Sequence, residues 1–340
     1  MSSLAAIMQR CGEAVAAAVP VCRAVQRDLA LIRAITKGDA SPVTIADYAA
    51  QAIVCNALRD LFTETPLVAE EHSGFLRDPA HAPHLQSAVE HARIAWRGVS
   101  TEDFLSAIDL ATPDHSTVRD TYYTLDPIDG TKGFIAGRHY AICLALIQYG
   151  RPVVAAMACP NLGPRGAAIP ERNDPNGTVY VAAQGEGVWE WSGREFNHRP
   201  RLVRQVRTEG EFVAGLPIEF GGNLAIRTND IIRRLGAGPS VIQHPAVSMD
   251  SQAKYALLAR GDIDLYLKVP GPRGSKDNVW DHAPGLLLAT EAGCRASDVD
   301  GRNLDLGAPP LIANGRGILA APSWLADRVV TIVRAGVEGL

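Results

Sequence analysis

Leu125-Asp126-Pro127-Ile128-Asp129-Gly130-Thr131-Lys132-Gly133 is where this chain concentrates chemistry. Two carboxylates flank a proline-stiffened turn at the end of a run with strand character. Pro127 fixes one backbone dihedral, and Gly130 admits conformations closed to other residues. Such a turn can aim Asp126, Asp129 and the Ile128 carbonyl at one point, an all-oxygen set of the kind hard cations such as Mg²⁺ prefer. The backbone N–H groups of Gly130 and Thr131 can face a phosphate. Asp-Pro and Asp-Gly also occur in plain turns, so the string alone leaves both readings open. Three other segments bear on it. Glu70-Glu71 closes a short apolar triplet, Trp280-Asp281-His282 opens a helical stretch, and Thr44 and Asp47 lie near the start of another helix. Taken singly, Glu70-Glu71 reads as a solvated strand end and Asp281 as a helix cap. Together in one chain they form a carboxylate set.

The elements that must carry these groups follow from periodicity. Leu4, Ile7, Met8, Cys11 and Val15 recur at helical spacing, and Val25, Leu29 and Ile32 resume after Pro20. The first ~35 residues therefore read as helix with one break. Lys37-Gly38-Asp39 marks a turn. A second helix runs from Asp47 to Leu61 behind Thr44 as N-cap. Leu67–Ala69 is a short strand ending at Glu70-Glu71. Residues 72–120 read as a helix near 84–96 within a mobile excursion. Thr121–Leu125 is a strand that delivers the Asp126–Gly133 turn. Ala141–Tyr149 and Pro152–Ala158 form one hairpin, and Thr178–Ala183 and Gly187–Trp191 another. After Thr208 strands and helices alternate: strand Phe212–Gly215, helix Asp230–Leu235, helix Ser251–Ala259, strand Asp264–Lys268 and helix Ala283–Ala292. An α+β half, residues 1–205 with most of the carboxylates, thus precedes an α/β half, residues 206–340 with Asp281.

Composition removes several function classes. With 340 residues, 47% of them hydrophobic, the chain can bury a sizeable core. A net charge of −4 and no polybasic stripe argue against a nucleic-acid polymer as partner. No run of about 18 apolar residues predicts a membrane span, and the N-terminus does not read as a signal peptide. The six cysteines are scattered without a CxxC pair, so they read as reduced core thiols and the location as cytoplasmic. His72, His115, His139, His198, His244 and His282 show no convergent ligand spacing and read as surface or capping residues. Trp189 and Trp191 alternate with Glu190 and read as packing on one strand face. No GxGxxG follows a strand, which leaves a dinucleotide-binding oxidoreductase without support.

The chain resembles the inositol monophosphatase superfamily of lithium-sensitive, Mg²⁺-dependent phosphatases. Within it, the closest similarity is to the 3′(2′),5′-bisphosphate nucleotidases. The strings that carry the likeness are Ser41–Gln51, Glu70-Glu71, Asp126–Phe134, Cys143–Ile147, Cys159-Pro160-Asn161-Leu162, Asp250-Ser251-Gln252-Ala253-Lys254-Tyr255 and Trp280-Asp281-His282-Ala283. The resemblance implies a layered αβαβα sandwich with the site between its halves. It implies that Glu70, Asp126, the Ile128 carbonyl, Asp129 and Asp281 hold two or three Mg²⁺ ions, and that Asp47 and Thr131 orient the attacking water. Gly130, Thr131, Ser251, Lys254 and Lys268 fall where the substrate binds. The implied substrate is adenosine 3′,5′-bisphosphate, and possible use of 3′-phosphoadenosine 5′-phosphosulfate would place the enzyme in sulfate assimilation. Two positions depart from the nucleotidase pattern: Gly221–Leu224 replaces a loop that often carries a histidine and serines, and Lys268 stands where arginine is common. A phosphatase of inositol phosphates or another small sugar phosphate is the alternative leaving-group reading. A non-catalytic member that binds metal or phosphate is the alternative from another class.

Overall fold

The computed structural model describes residues 3–28, 35–36, 42–43, 45–112, 114–166, 170–192, 201–203, 209–218, 222–237, 241–271 and 276–336. Helices α1 (Leu4–Arg27), α2 (Ile45–Ala57), α3 (Ala82–Ala92) and α4 (Thr101–Ile108) belong to the first half, with the short α5 (Thr131–Ile135) beside the Asp-rich turn. Its strands are β1 (Leu67–Ala69), β2 (Thr121–Asp129), β3 (Ala141–Gln148), β4 (Arg151–Cys159), β5 (Thr178–Ala183), β6 (Gly187–Ser192) and β7 (Arg201–Val203). The second half contributes α6 (Gly222–Gly236), α7 (Ala253–Arg260), α8 (Ala283–Glu291) and α9 (Ser323–Arg334). Its main strands are β8 (Ala214–Leu216), β9 (Val247–Ser248), β10 (Leu265–Lys268), β11 (Arg295–Ser297) and β12 (Ile318–Ala321).

Strands β1 to β7 form one sheet in sequence order, antiparallel except for the parallel β1–β2 pair. The second sheet has the order β9-β8-β10-β12-β11. The side-chain period of two decides what each face buries. On β3, Ile142, Leu144 and Leu146 join α1 and α2 in one core, while Cys143, Ala145 and Ile147 face α7 and α8 in another. On β12, Ile318 and Ala320 meet the α7/α8 layer from the other side, and Leu319 and Ala321 pack with α6 and α9. The stack is therefore helix, sheet, helix, sheet, helix, the five-layered sandwich that the resemblance implies. The boundary drawn at 205/206 lies outside the described residues. All six cysteines are buried and free. Trp189 and Trp191 both pack against the α1 side of the first sheet.

Several elements differ from expectation for identifiable reasons. α1 runs unbroken through Pro20, whose side chain is on the exposed face. α1 is also long and apolar enough to cross a membrane, yet Cys11, Val15, Ala18, Cys22 and Val25 are buried against the first sheet. The turn at Lys37–Asp39, the continuation through Leu29 and Ile32, and the N-cap Thr44 lie outside the described residues. The described residues of 72–120 hold three α-helices rather than one: the short Gly74–Arg77, α3 and α4. Ser100 caps α4 by accepting from Asp103 N at 3.1 Å, and Phe104, Leu105, Ala88 and Val89 enter the first core. The strand expected over 212–215 is split. Val213 donates its N–H to Asp264 Oδ2 at 2.7 Å, so Glu211–Phe212 pairs with Ile242–Gln243 and β8 pairs elsewhere.

Candidate active site

Asp126 and Asp129 are three residues apart, and regular alternation would send them to opposite faces of β2. The ladder prevents this. Asp126 lies opposite Cys143 and Asp129 opposite Ala141, so the strand carries one extra residue across the Pro127–Ile128 step. Pro127, without an N–H, loses nothing at a bulge. The Ile128 N–H turns to Asp126 Oδ1 at 3.1 Å, and the Thr131 hydroxyl donates to the Ile128 carbonyl at 3.1 Å. Gly130 closes the turn at φ +85°, a left-handed conformation that favours glycine.

Asp281 comes from the other half, at the start of α8, and its Oδ2 accepts from Asn278 N at 3.3 Å. One carboxylate oxygen each from Asp126, Asp129 and Asp281 falls within a set whose members are all within 4.8 Å of one another. The electrostatics follow. Burial pushes the Asp126 carboxyl well above the usual range, and the charges of Glu70, Asp129, Asp281 and Asp47 add to the shift. Burial pushes Asp281 up to about 6, with Asp129 contributing. Asp129 is raised by burial but relieved by the Gln252 N–H and by Lys254 and Lys268. Hard oxygen donors that repel one another, one of them buried and two half-buried, fit a metal cation.

Glu70 follows β1 directly, and its N–H donates to Leu125 O at 3.1 Å, which sets it beside Asp126. Its neighbour Glu71 is buried, with its backbone held by both ends of the Gln51 amide at 2.7 and 3.2 Å. Gln51 lies one helical turn beyond Asp47 on α2. Asp47 is itself 1% exposed, and its charge reaches Asp126. The structure thus brings Asp47, Glu70, Asp126, Asp129 and Asp281 into one electrostatic neighbourhood, with the Ile128 carbonyl and Thr131 alongside.

The residues expected at the substrate divide into two groups. Lys268 is half-exposed and paired with Asp277 Oδ1 at 2.5 Å. Lys254 is 6% exposed, and its Nζ donates to Met249 O at 2.8 Å and Ser251 O at 2.7 Å. Burial lowers its pKa to about 8. Ser251 has φ +65°, which costs a non-glycine residue about 1–3 kcal/mol. The next N–H, that of Gln252, donates to Asp129 Oδ2, while the Gln252 amide donates to Trp280 O at 2.8 Å. Gly130 abuts this turn closely, since a Cβ there would lie 2.7 Å from Ser251 Cβ. Gly221 lies outside the described residues.

Sequence reasoning missed Gln252, Asp277 and the Arg138–Asp250 pair at 2.7 Å. Gln252 and Asp250 stand inside a quoted string, but only the structure shows what they hold. It also buries two histidines that read as surface or capping residues. His282, although at the N-cap position of α8, meets the Tyr255 hydroxyl at 3.0 Å through Nδ1, and His139 Nε2 meets Glu171 O at 3.0 Å.

Comparison with known proteins agrees with this architecture. A model of the inositol monophosphatase family matches residues 4–338. A 3′(2′),5′-bisphosphate nucleotidase of Schizosaccharomyces pombe is 39% identical over 314 residues, covering 89% of this chain and 86% of the relative. The 3′,5′-bisphosphate nucleotidase 2 of Arabidopsis thaliana is 33% identical over 345 residues, covering 96% of this chain and 95% of the relative. Among solved structures, the extragenic suppressor protein suhB of Bartonella henselae superposes with a TM-score of 0.62 at 18% identity, covering 98% of this chain and all of that one. CysQ of Bacteroides thetaiotaomicron superposes with a TM-score of 0.59 at 18% identity, covering 93% of this chain and 97% of that one. With a family match over residues 4–338 and a carboxylate site drawn from both halves of the chain, the chain belongs to the inositol monophosphatase family.

Proposed function

We propose that this chain is a Mg²⁺-dependent phosphomonoesterase that removes the 3′-phosphate of adenosine 3′,5′-bisphosphate, giving AMP and phosphate. The observation that carries the chemistry is the convergence of Asp126, Asp129 and Asp281 within 4.8 Å, drawn from both halves of the chain. The substrate class is supported by relatives at 33–39% identity that are named as bisphosphate nucleotidases. The same reading extends to 3′-phosphoadenosine 5′-phosphosulfate, to inhibition by Li⁺ and to a cytoplasmic location.

Phosphate monoesters resist hydrolysis because an electron-rich nucleophile must approach an anionic phosphorus. Glu70, Asp126, the Ile128 carbonyl, Asp129 and Asp281 are the groups that would hold two or three Mg²⁺ ions. When bound, these ions neutralise charge on the phosphoryl oxygens and make water a stronger acid. Asp126 is the centre of this set, because the other carboxylates all raise its pKa. Thr131 presents its hydroxyl oxygen to the attacking water; its one proton, donated here to the Ile128 carbonyl at 3.1 Å, would turn to Asp47 when that carbonyl holds a cation. Water adds to phosphorus, the bond to the ribose oxygen breaks, and that oxygen takes up a proton. The N–H groups of Gly130 and Thr131 receive the phosphate, and Ser251 and Lys268 line the leaving-group side.

The test is phosphate release from adenosine 3′,5′-bisphosphate and from inositol 1-phosphate, side by side, with Mg²⁺ and with chelator. A strong preference for the nucleotide that chelation abolishes is the expected result. A preference for inositol 1-phosphate would keep the metal chemistry and overturn the substrate. Silence on both would return the chain to a binding role.

A further inference from the structure

Between β9 and α7 the backbone makes a turn that its own sequence disfavours. Ser251 occupies the left-handed region at φ +65° with no glycine to ease it. Such a conformation persists only where the surroundings over-determine it. Here the surroundings are four hydrogen bonds. Lys254 Nζ donates to the carbonyls on both sides of the turn, Met249 O at 2.8 Å and Ser251 O at 2.7 Å. Ser251 Oγ accepts from Ala253 N at 3.1 Å, and Arg138 Nε donates to Asp250 Oδ2 at 2.7 Å. The turn ends at the Gln252 N–H, which is spent on the Asp129 carboxylate. Asp129 is therefore fixed from across the site by a backbone group whose place depends on the turn.

We infer that Lys254 is a positioning residue: it braces the left-handed Ser251 turn so that the Gln252 N–H holds Asp129 in its metal-binding orientation. The inference rests on the reading of Asp126, Asp129 and Asp281 as a metal site. Two of the three ammonium hydrogens are committed to backbone oxygens, and the Tyr266 ring lies 5.8 Å from Nζ. Little of the 6%-exposed side chain is left to meet a phosphate.

Charge and positioning give opposite signs, and that makes the inference testable. If Lys254 acted only as a nearby cation, removing it would strengthen the binding of a metal cation. If it acts as a brace, removing it weakens that binding. The experiment titrates the chelator-treated full chain with Mn²⁺ by calorimetry, comparing the native protein with Lys254→Met and Lys254→Gln, and adds steady-state kinetics for each. Expected for Lys254→Met is Mn²⁺ binding weaker by about 10–100-fold, the range for lost supporting contacts at metal sites. Turnover should fall with it, while KM stays within about threefold. Lys254→Gln keeps amide donors without the charge and should recover part of both losses. Tighter or unchanged Mn²⁺ binding overturns the inference, as does a KM that rises alone, the mark of a substrate contact.

Should Lys254→Met fail to fold, the titration of Lys254→Gln and of Arg138→Gln, which loosens the other side of the same turn, decides the matter. Unchanged binding in both overturns the brace, and weakened binding in both supports it. A native protein that binds Mn²⁺ but hydrolyses neither test substrate would sink the nucleotidase reading while leaving this comparison intact. A native protein that binds no Mn²⁺ would remove the metal site and this inference together.

Discussion

Asp126 and Asp129 ride on the end of a nine-residue strand with neighbours on both sides and with its central residues buried. Across the site, Asp281 before α8 and the Ser251 turn before α7 lie in connections of the half whose main sheet has strands only two to four residues long. The first region places its groups by ladder register, and the second by single side-chain contacts such as Lys254 to Met249 O and Gln252 to Trp280 O. A ladder shares strain over many hydrogen bonds, whereas a brace concentrates it on one. Substitutions in the first region should therefore act through the groups they remove. In the second they should act through the geometry they release.

The largest effect is expected where the strand delivers Asp126, the centre of the proposed metal site. Asp126→Asn keeps the shape and removes the charge that Glu70, Asp129, Asp281 and Asp47 all oppose. Loss of electrostatic stabilisation of about 4 kcal/mol corresponds to roughly a thousandfold in kcat. This should exceed the loss from Thr131→Val, which on the proposed mechanism removes only a water-orienting hydroxyl, about a hundredfold on the usual scale. Near-normal turnover of Asp126→Asn at saturating Mg²⁺ would break the comparison at its strongest point.

Gly130→Ala probes the seam between the regions. The new Cβ would fall 2.7 Å from Ser251 Cβ, at a position already at φ +85°. One turn must then yield, and the braced one is the weaker. About 1–3 kcal/mol of stability should be lost, with a drop in kcat that saturating Mg²⁺ only partly restores. Chemical denaturation beside a Mg²⁺ titration measures both. A fully active, fully stable alanine variant would mean that the two turns do not constrain each other.

Lys268→Met tests the exposed edge of the second region. A charge-assisted contact to a substrate phosphate contributes about 1.5–3 kcal/mol. Lys268 is already paired with Asp277 at 2.5 Å and half-exposed, so the low end applies. KM for adenosine 3′,5′-bisphosphate should rise about tenfold, with kcat held. An unchanged KM would move the leaving-group pocket elsewhere.

The same contrast explains what could be read in advance. The strands β3 and β4 were legible almost to the residue, because burial on both faces writes an unbroken apolar run, Ala141–Ile147 and Val153–Cys159. Asp126, Asp129 and Asp281 were legible only as a set drawn from separate segments, since Asp-Pro and Asp-Gly alone also fit plain turns. In the second half, strands of two to four residues carry too little periodicity to fix their ends. Asp264 interrupts one of them through the Val213 N–H, a contact separated by 51 residues. The role of Lys254 was hidden for a different reason. Its string resembles a substrate contact of the nucleotidases, and only burial with two carbonyl partners points to a brace.

The smallest effect concerns stability and has an inverted sign. Asp281 has its carboxyl pushed up to about 6 from an ordinary 3.8, mainly by burial. Between those values the metal-free folded chain holds a proton that the unfolded chain has released. Protonation therefore favours the fold below this window, and the contribution is lost as pH rises through about 6. Above it, the metal-free protein carries buried, mutually repelling charge that a bound cation would relieve. Asp281→Asn, which cannot ionise, should therefore melt a few degrees higher than the native chain at pH 7.5 with chelator present. At pH 5 the two should melt more nearly together. Added Mg²⁺ should reverse the order at pH 7.5, because the native chain gains more from binding than a variant lacking a ligand. Thermal melts at the two pH values, with Mg²⁺ and with chelator, give the four comparisons. A variant less stable than the native chain in chelator would show that Asp281 is held by favourable contacts such as the Asn278 N–H, and that the second region is not the strained side of the site.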